Sequence, residues 1–350
     1  MAKGYFHRVA QETNTRMWLN NPTRREVEEA IPAGAVSCTT NPAFCARLIA
    51  DEPEHLRGII DEVIKVASSD DVAAELVYQK ASSYTVEGFL PIYEASEGTS
   101  GFVTIQGSPF CDEDSDYIIK EALRHRKVGK NVMAKIPAHE AGIQAIENLV
   151  EKNIPVCATE IFSVAQAVVV GATYQRATKK SGNHPPFYVT HITGWFDKYM
   201  AEFVKRERIS IAPEVLIQAG WVVAHEQYRV YKERGYEGIM LGGGALDTLH
   251  FTEMVGGDVH VTLNWNISEK LIAADGPVVS RIHVPAPKEV VEELSQKLPD
   301  FRQALAIDGL STEEFKDFGP LVLFRNMFIQ GYGRLVQEIG ARRAARGIAI

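Results

Sequence analysis

Eight short apolar runs, separated by longer stretches with helical periodicity, constrain this chain more than any other feature. They are Met17–Asn20, Val36–Thr39, Val103–Gln106, Val132–Ile136, Pro155–Thr159, Phe187–Thr190, Gly238–Leu241 and Val259–Leu263. Strands that read as continuous apolar runs are buried on both faces, and helices between them make the sheet parallel. The helical stretches carry their own signals. Asp114–Arg126 opens on acidic residues and ends on basic ones, and His139–Glu151 sets Ile143, Ile146, Leu149 and Val150 on one face. Eight strand–helix units predict a closed α/β fold, the (β/α)8 or TIM barrel. The alternative is an open doubly wound sheet. It is weakened because no GxGxxG follows the first strand; the run Gly242–Gly244 follows the seventh instead.

At 350 residues the chain is long enough for one barrel with extensions. Residues 1–284 are expected to form the barrel. Residues 285–350 are expected to form a C-terminal helical extension packed on it, with a mostly polar stretch Ser295–Asp300, a helical segment near Thr312–Phe315 and a longer helix around Leu321–Ile339. The net charge of −8 argues against nucleic acid or an anionic membrane as partner. The cluster Arg342, Arg343 and Arg346 reads as a solvated helix end. The four cysteines form no CxxC pair and no HxxxH pair occurs, so neither a metal nor a redox motif is expected. A first segment without an apolar core, and no apolar run of bilayer length, place the protein in the cytoplasm. Amphipathic C-terminal helices leave a homo-oligomer open.

The residue that points to chemistry is Lys135, set in the apolar strand Val132-Met-Ala-Lys-Ile-Pro. A buried ammonium must pair with an anion or lose its proton. A neutral amine is a nucleophile toward a ketone. The competing reading is a lysine that snorkels to the strand end.

Three ordered motifs surround it: Val36-Ser-Cys-Thr-Thr-Asn-Pro, Ala134-Lys-Ile-Pro-Ala with Glu140-Ala-Gly-Ile-Gln-Ala-Ile, and Asn153-Ile-Pro-Val-Cys-Ala-Thr-Glu-Ile-Phe-Ser-Val-Ala-Gln-Ala. Together they resemble the transaldolases, class I Schiff-base enzymes of the aldolase superfamily. The resemblance is close over residues 36–167 and loose elsewhere. It implies a barrel without metal or organic cofactor that moves a dihydroxyacetone-type ketol unit of a sugar or sugar phosphate in carbohydrate metabolism, in the pentose phosphate pathway. On it, Lys135 is the Schiff-base lysine, Thr159 helps hold the catalytic water, Thr40 and Asn41 meet the substrate, and Thr190 falls where a serine lies near it.

The sequence also departs from that pattern. Asn20 replaces an aspartate acid/base, Gln106 replaces a water-positioning glutamate, and Cys157 replaces an asparagine. The arginines that grip phosphate are absent, with Trp195 and the Gly243–Leu246 region in their places. Asparagine cannot relay a proton at neutral pH. Glu160 is the candidate replacement, although strand alternation aims it at the helix layer and the strand is ending there. His191 shares that parity. Three readings stay open: a transaldolase or simple aldolase, the latter on a non-phosphorylated ketose; a catalytically altered sugar-binding barrel; and an unrelated barrel enzyme binding phosphate on a backbone nest near Gly243. Trp18, Trp221 and Trp265 are expected to fill core or rims, and Asn264 and Asn266 to end the eighth strand.

Overall fold

The computed structural model describes residues 4–348. Eight parallel strands close into a barrel in chain order: β1 (Arg16–Asn20), β2 (Ala35–Thr39), β3 (Val103–Gln106), β4 (Val132–Pro137), β5 (Val156–Ile161), β6 (Phe187–Ile192), β7 (Ile239–Gly243) and β8 (Val259–Leu263). β8 returns to β1 through the pairs Arg16 with His260 and Leu19 with Leu263. The open-sheet alternative is thereby excluded. Every expected strand is found; β5 and β6 each run two residues further than the apolar pattern suggested.

Side chains alternate across each strand, and the inward set stacks in layers. The lower layer is an apolar plug of Trp18, Phe102, Met133, Cys157, Tyr188 and Leu241. The Trp18 indole N–H donates to His260 Nδ1 at 2.9 Å. Two residues further along the strands, the same face presents Asn20, Lys135, Thr190 and Thr262. The plug closes one end of the barrel, so polar groups are concentrated at the C-terminal ends of the strands. The larger apolar core lies outside, between strands and helices.

The helices begin where the sequence signals them. Asp114 accepts from the Asp116 and Tyr117 N–H groups at 2.9 and 3.1 Å and starts the helix Ser115–His125. Glu140–Glu151 follows β4. Beyond the barrel, the polar stretch around Ser295–Asp300 lies in two helices, Lys288–Lys297 and Pro299–Leu305, with Leu294 and Phe301 buried. The segment near Thr312 is a single 3-10 turn, Phe315–Asp317. The final helix, Gly319–Arg346, is longer at both ends than expected and packs on the helices Phe44–Asp51, Asp70–Ala95 and Thr193–Glu207.

The arginine cluster in that helix is not merely solvated. Arg343 is buried, donates to Asp70 Oδ1 at 2.8 Å and to the Ile64 carbonyl at 3.0 Å. Arg342 grips both oxygens of Asp61 at 2.6 Å. Bidentate pairs of this kind fix a helix geometrically as well as energetically. Among the described residues no helix is long and apolar enough to cross a membrane.

Apolar anchoring decides how firmly the last helix is held. Phe328 is fully buried and meets Phe324 edge-on, ring centroids 4.5 Å apart. Phe328→Ala is expected to cost about 3–5 kcal/mol of unfolding free energy. Urea denaturation measures it, and a loss under about 1 kcal/mol would mean that the site collapses around the smaller side chain or that the helix is loosely docked.

Candidate active site

A cavity of about 540 Å³ opens at the C-terminal ends of the strands, with Lys135 at its base. Lys135 is 5% exposed, and among the described residues its side-chain nitrogen has one polar contact, the Thr40 carbonyl at 3.2 Å, and no carboxylate touches it. Burial lowers its pKa below the usual amine range, and Cys157, Glu160 and Cys38 only partly oppose that shift. This is the environment in which a lysine loses its proton and becomes nucleophilic.

Strand register sets the neighbours. Gln106 pairs with Lys135, and Lys135 with Cys157, so these three are register neighbours on adjacent strands. Cys157 is sealed beneath the cavity with its Sγ 3.1 Å from Thr190 Oγ1. Thr159 is one inward step higher, fully buried, and its hydroxyl has no partner among the described residues.

Glu160 breaks the alternation. The β5–β6 register shifts between Ala158 and Ile161, and Glu160 adopts φ +61°, in the left-handed region that non-glycine residues rarely occupy. Its carboxylate thereby joins Gln106 instead of the helix layer, accepting from Gln106 Nε2 at 2.7 Å. Strict parity is overturned here by a bulge. Gln166 holds the distortion. Its amide donates to the Glu160 and Ala138 carbonyls, both at 3.0 Å, while its Oε1 accepts from the Phe162 N–H at 2.9 Å. Glu160 is fully buried, and its other oxygen has no partner among the described residues. Burial pushes its carboxyl up to about 8, with the negative charge of Asp112 adding to the effect. Asp112 in turn is gripped by Arg325 of the last helix at 2.5 and 3.1 Å.

The other expected residues separate into two groups. Asn20 lines the cavity, accepting from Thr39 Oγ1 at 2.9 Å and donating to Asn264 Oδ1 at 2.8 Å. Asn41 also lines it; its Oδ1 is taken by the Ala43 N–H at 3.0 Å, which leaves its NH2 group for a ligand. Thr190, Asn264 and Asn266 line it as well. Thr40 does not: its hydroxyl is turned away, onto Tyr78 and the Thr104 carbonyl, both at 2.8 Å. Its backbone oxygen, not its side chain, reaches Lys135. His191 faces the helix layer as alternation predicted, bonded to the Gly220 carbonyl at 3.1 Å.

Sequence reasoning missed Thr39 and Thr262, whose hydroxyls meet at 2.7 Å on the cavity floor. Alternation from Trp18 and His260 would have found them. It also missed Gln166, which stands in the third motif, and Arg325, whose role no local pattern reveals. For metals, the described residues bring Glu75, Glu121 and His125 within 4.8 Å of one another. Arg124 already supplies the positive charge there, binding both Glu75 oxygens at 2.6 and 2.8 Å.

A buried, deprotonation-prone amine beside a protonated carboxyl, under a hydroxyl- and amide-lined cavity, suits carbonyl chemistry on a polyhydroxy compound. Comparison with known proteins points the same way. A transaldolase of Neisseria meningitidis serogroup C is 28% identical over 234 residues, covering 61% of this chain and 64% of that protein. Transaldolase 1 of Streptomyces coelicolor is 28% identical over 252 residues, covering 64% and 63%. A transaldolase of Trichodesmium erythraeum is 25% identical over 239 residues, covering 61% and 62%. The chain thus spans somewhat less than two thirds of the length of these relatives. Residues 17–318 match the family described as transaldolase/fructose-6-phosphate aldolase. The barrel, its Lys135 strand and this match over most of the chain place the protein in the transaldolase/fructose-6-phosphate aldolase family.

Proposed function

We propose that this protein is a transaldolase-type enzyme that transfers a dihydroxyacetone-type ketol unit between aldoses through an imine on Lys135, acting in the cytoplasm on the carbohydrates of the pentose phosphate pathway. The observation that carries this reading is the Lys135 amine, buried with a carbonyl as its one polar contact. The name transaldolase borne by the relatives supports it. Four free cysteines suit a reducing compartment.

In this reading the neutral amine of Lys135 adds to the ketone carbon of the donor. Glu160, protonated at neutral pH, gives its proton to the carbinolamine oxygen, which leaves as water, and the iminium forms. The Glu160 carboxylate then takes the proton of the C4 hydroxyl. The C3–C4 bond breaks, its electron pair moves onto the iminium, and an aldose leaves. The bound enamine attacks the carbonyl carbon of an incoming aldose, whose oxygen recovers the proton from Glu160. Water hydrolyses the new imine and frees Lys135. Thr159 and Gln106 hold that water, and Asn20 and Asn41 bind substrate hydroxyls. Thr190, against Cys157, shapes the wall. Glu160 thus does the work that Asn20 cannot do.

The standing of Lys135 is tested by borohydride trapping with dihydroxyacetone, followed by peptide mass mapping. Label is expected on Lys135 alone and on no residue of Lys135→Met, which should also lose at least about a thousandfold in turnover. Label elsewhere, or none, would sink the imine.

The role of Glu160 is tested by pH. Its carboxyl is raised to about 8, so the acid form predominates at pH 7 and is lost above pH 8. The rate of imine formation is expected to fall on that alkaline side. Glu160→Gln should lower the rate about 10²–10⁴-fold and remove the alkaline fall. An unchanged profile in that variant would assign the proton transfers elsewhere.

A further inference from the structure

We propose that Arg325 and Asp112 are a positioning pair through which the last helix sets the charge around Glu160. The proposal rests on the reading of Glu160 as the proton donor and adds to it two residues that act through it.

Consecutive side chains key the last helix to the site. Phe324 meets Phe162, two residues beyond Glu160, edge-on with ring centroids 5.7 Å apart. Arg325, the next residue, reaches the loop after β3 and donates to the two Asp112 oxygens at 2.5 and 3.1 Å. A bidentate fork fixes direction as well as distance, so helix and loop are held in one register. Asp112 is buried. With Gln106 and Lys135 it lines a small cavity of about 20 Å³, room for one water. Gln106 in turn donates to Glu160 at 2.7 Å. Two helix positions thus reach the same carboxyl, one by packing on the end of β5 and one by way of the β3 loop.

Burial is the main reason that Glu160 keeps its proton, and the charge of Asp112 adds to it. The Gln106 hydrogen bond and the positive charges of Lys135 and Arg325 act the other way. Four further groups stand around the pair. Glu113 lies 3.1 Å from Arg325, and Lys316 lies 3.8 Å from Glu113; both are exposed, so solvent screens them. His139 is buried, and burial pushes its imidazole below the usual range. Glu121, across the small cavity, accepts from the Ser108 N–H at 2.9 Å.

A clamp that only holds the loop would loosen the site in the same way whichever partner were removed. A charge pair acts with opposite signs. Without the Asp112 charge, Glu160 faces Arg325 and Lys135 alone and ionises at lower pH. Without the Arg325 charge, two carboxyls share a buried corner, and the last proton of the two is held to higher pH.

The experiment is a pH titration of the full chain by difference infrared spectroscopy, which reads the carbonyl band of a protonated carboxyl. The Glu160 band is the one lost in Glu160→Gln. Against a midpoint of about 8 in the unaltered protein, Asp112→Asn is expected to lie at least about half a pH unit lower and Arg325→Gln at least about half a pH unit higher. Arg325→Lys keeps the charge without the fork and should stay close to the unaltered protein. A smaller shift in either neutralised variant, or two shifts of the same sign, overturns the proposal. So does an Arg325→Lys midpoint that matches Arg325→Gln, because the fork and not the charge would then be responsible. Should Arg325→Gln fail to fold, the fall in Asp112→Asn decides alone. Timed borohydride trapping with dihydroxyacetone at pH 8 is the second readout. Asp112→Asn should label Lys135 at least about twofold more slowly, since less of Glu160 is in its acid form. A moved band with unchanged labelling would leave the pair's hold on Glu160 standing and remove Glu160 from imine formation.

Discussion

The arrangement depends on keeping one amine away from both water and carboxylates. A closed ring of strands supplies the first condition, because the plug of Trp18, Met133, Tyr188 and Leu241 seals the barrel below Lys135. The second is met by giving the nitrogen a carbonyl, Thr40 O, and, among the described residues, no anionic partner. A direct ion pair would stabilise the ammonium and silence the nucleophile. Glu160 approaches near enough to oppose the pKa shift of Lys135, yet its own oxygen is bonded to Gln106. Burial raises the acid and lowers the base, so each is shifted toward its neutral form. Two groups with pKa values pushed toward each other in this way divide proton donation and nucleophilic attack between them.

That division required breaking a rule of the sheet. A regular strand would have sent Glu160 into the helix layer beside His191. The bulge and the left-handed backbone at Glu160 turn it inward, and Gln166 stabilises the turn with bonds to the flanking main chain. Backbone strain of this sort costs on the order of 1–3 kcal/mol and persists where neighbouring structure over-determines it. On the resemblance drawn from the sequence, Asn20 and Gln106 stand where carboxylates are expected on the first and third strands. A single carboxylate, from the fifth strand, meets that glutamine.

The sequence made the architecture legible because both periodicities are strong: eight apolar runs buried on two faces, and helices with apolar stripes between them. It also made Lys135 legible, since a cation in such a run has few explanations. Other features resisted for identifiable reasons. Alternation gives a side chain's face only while the strand is regular, so it misdirected Glu160. Motif position suggested the Thr40 side chain, but neighbouring strands show that Thr39 shares the inner face. Arg325 and Asp112 are separated by 213 positions and meet only after folding. The helices Lys288–Lys297 and Pro299–Leu305 hide their few apolar anchors among charged residues, so their individual bounds could not be read from the sequence.

The last helix reaches back across the barrel mouth, and this has a consequence for the order in which the protein comes into being. Phe324 and Met327 form part of the cavity wall, and Arg325 holds the loop that carries Asp112. A chain emerging from the ribosome has all eight strands in hand once Leu263 has been made, some sixty residues before these groups exist. Through that interval the strand ends stand open to water, and the lysine has no reason to surrender its proton. On the imine reading proposed above, reactivity toward passing carbonyl compounds would therefore arrive with the finished chain, not with the barrel.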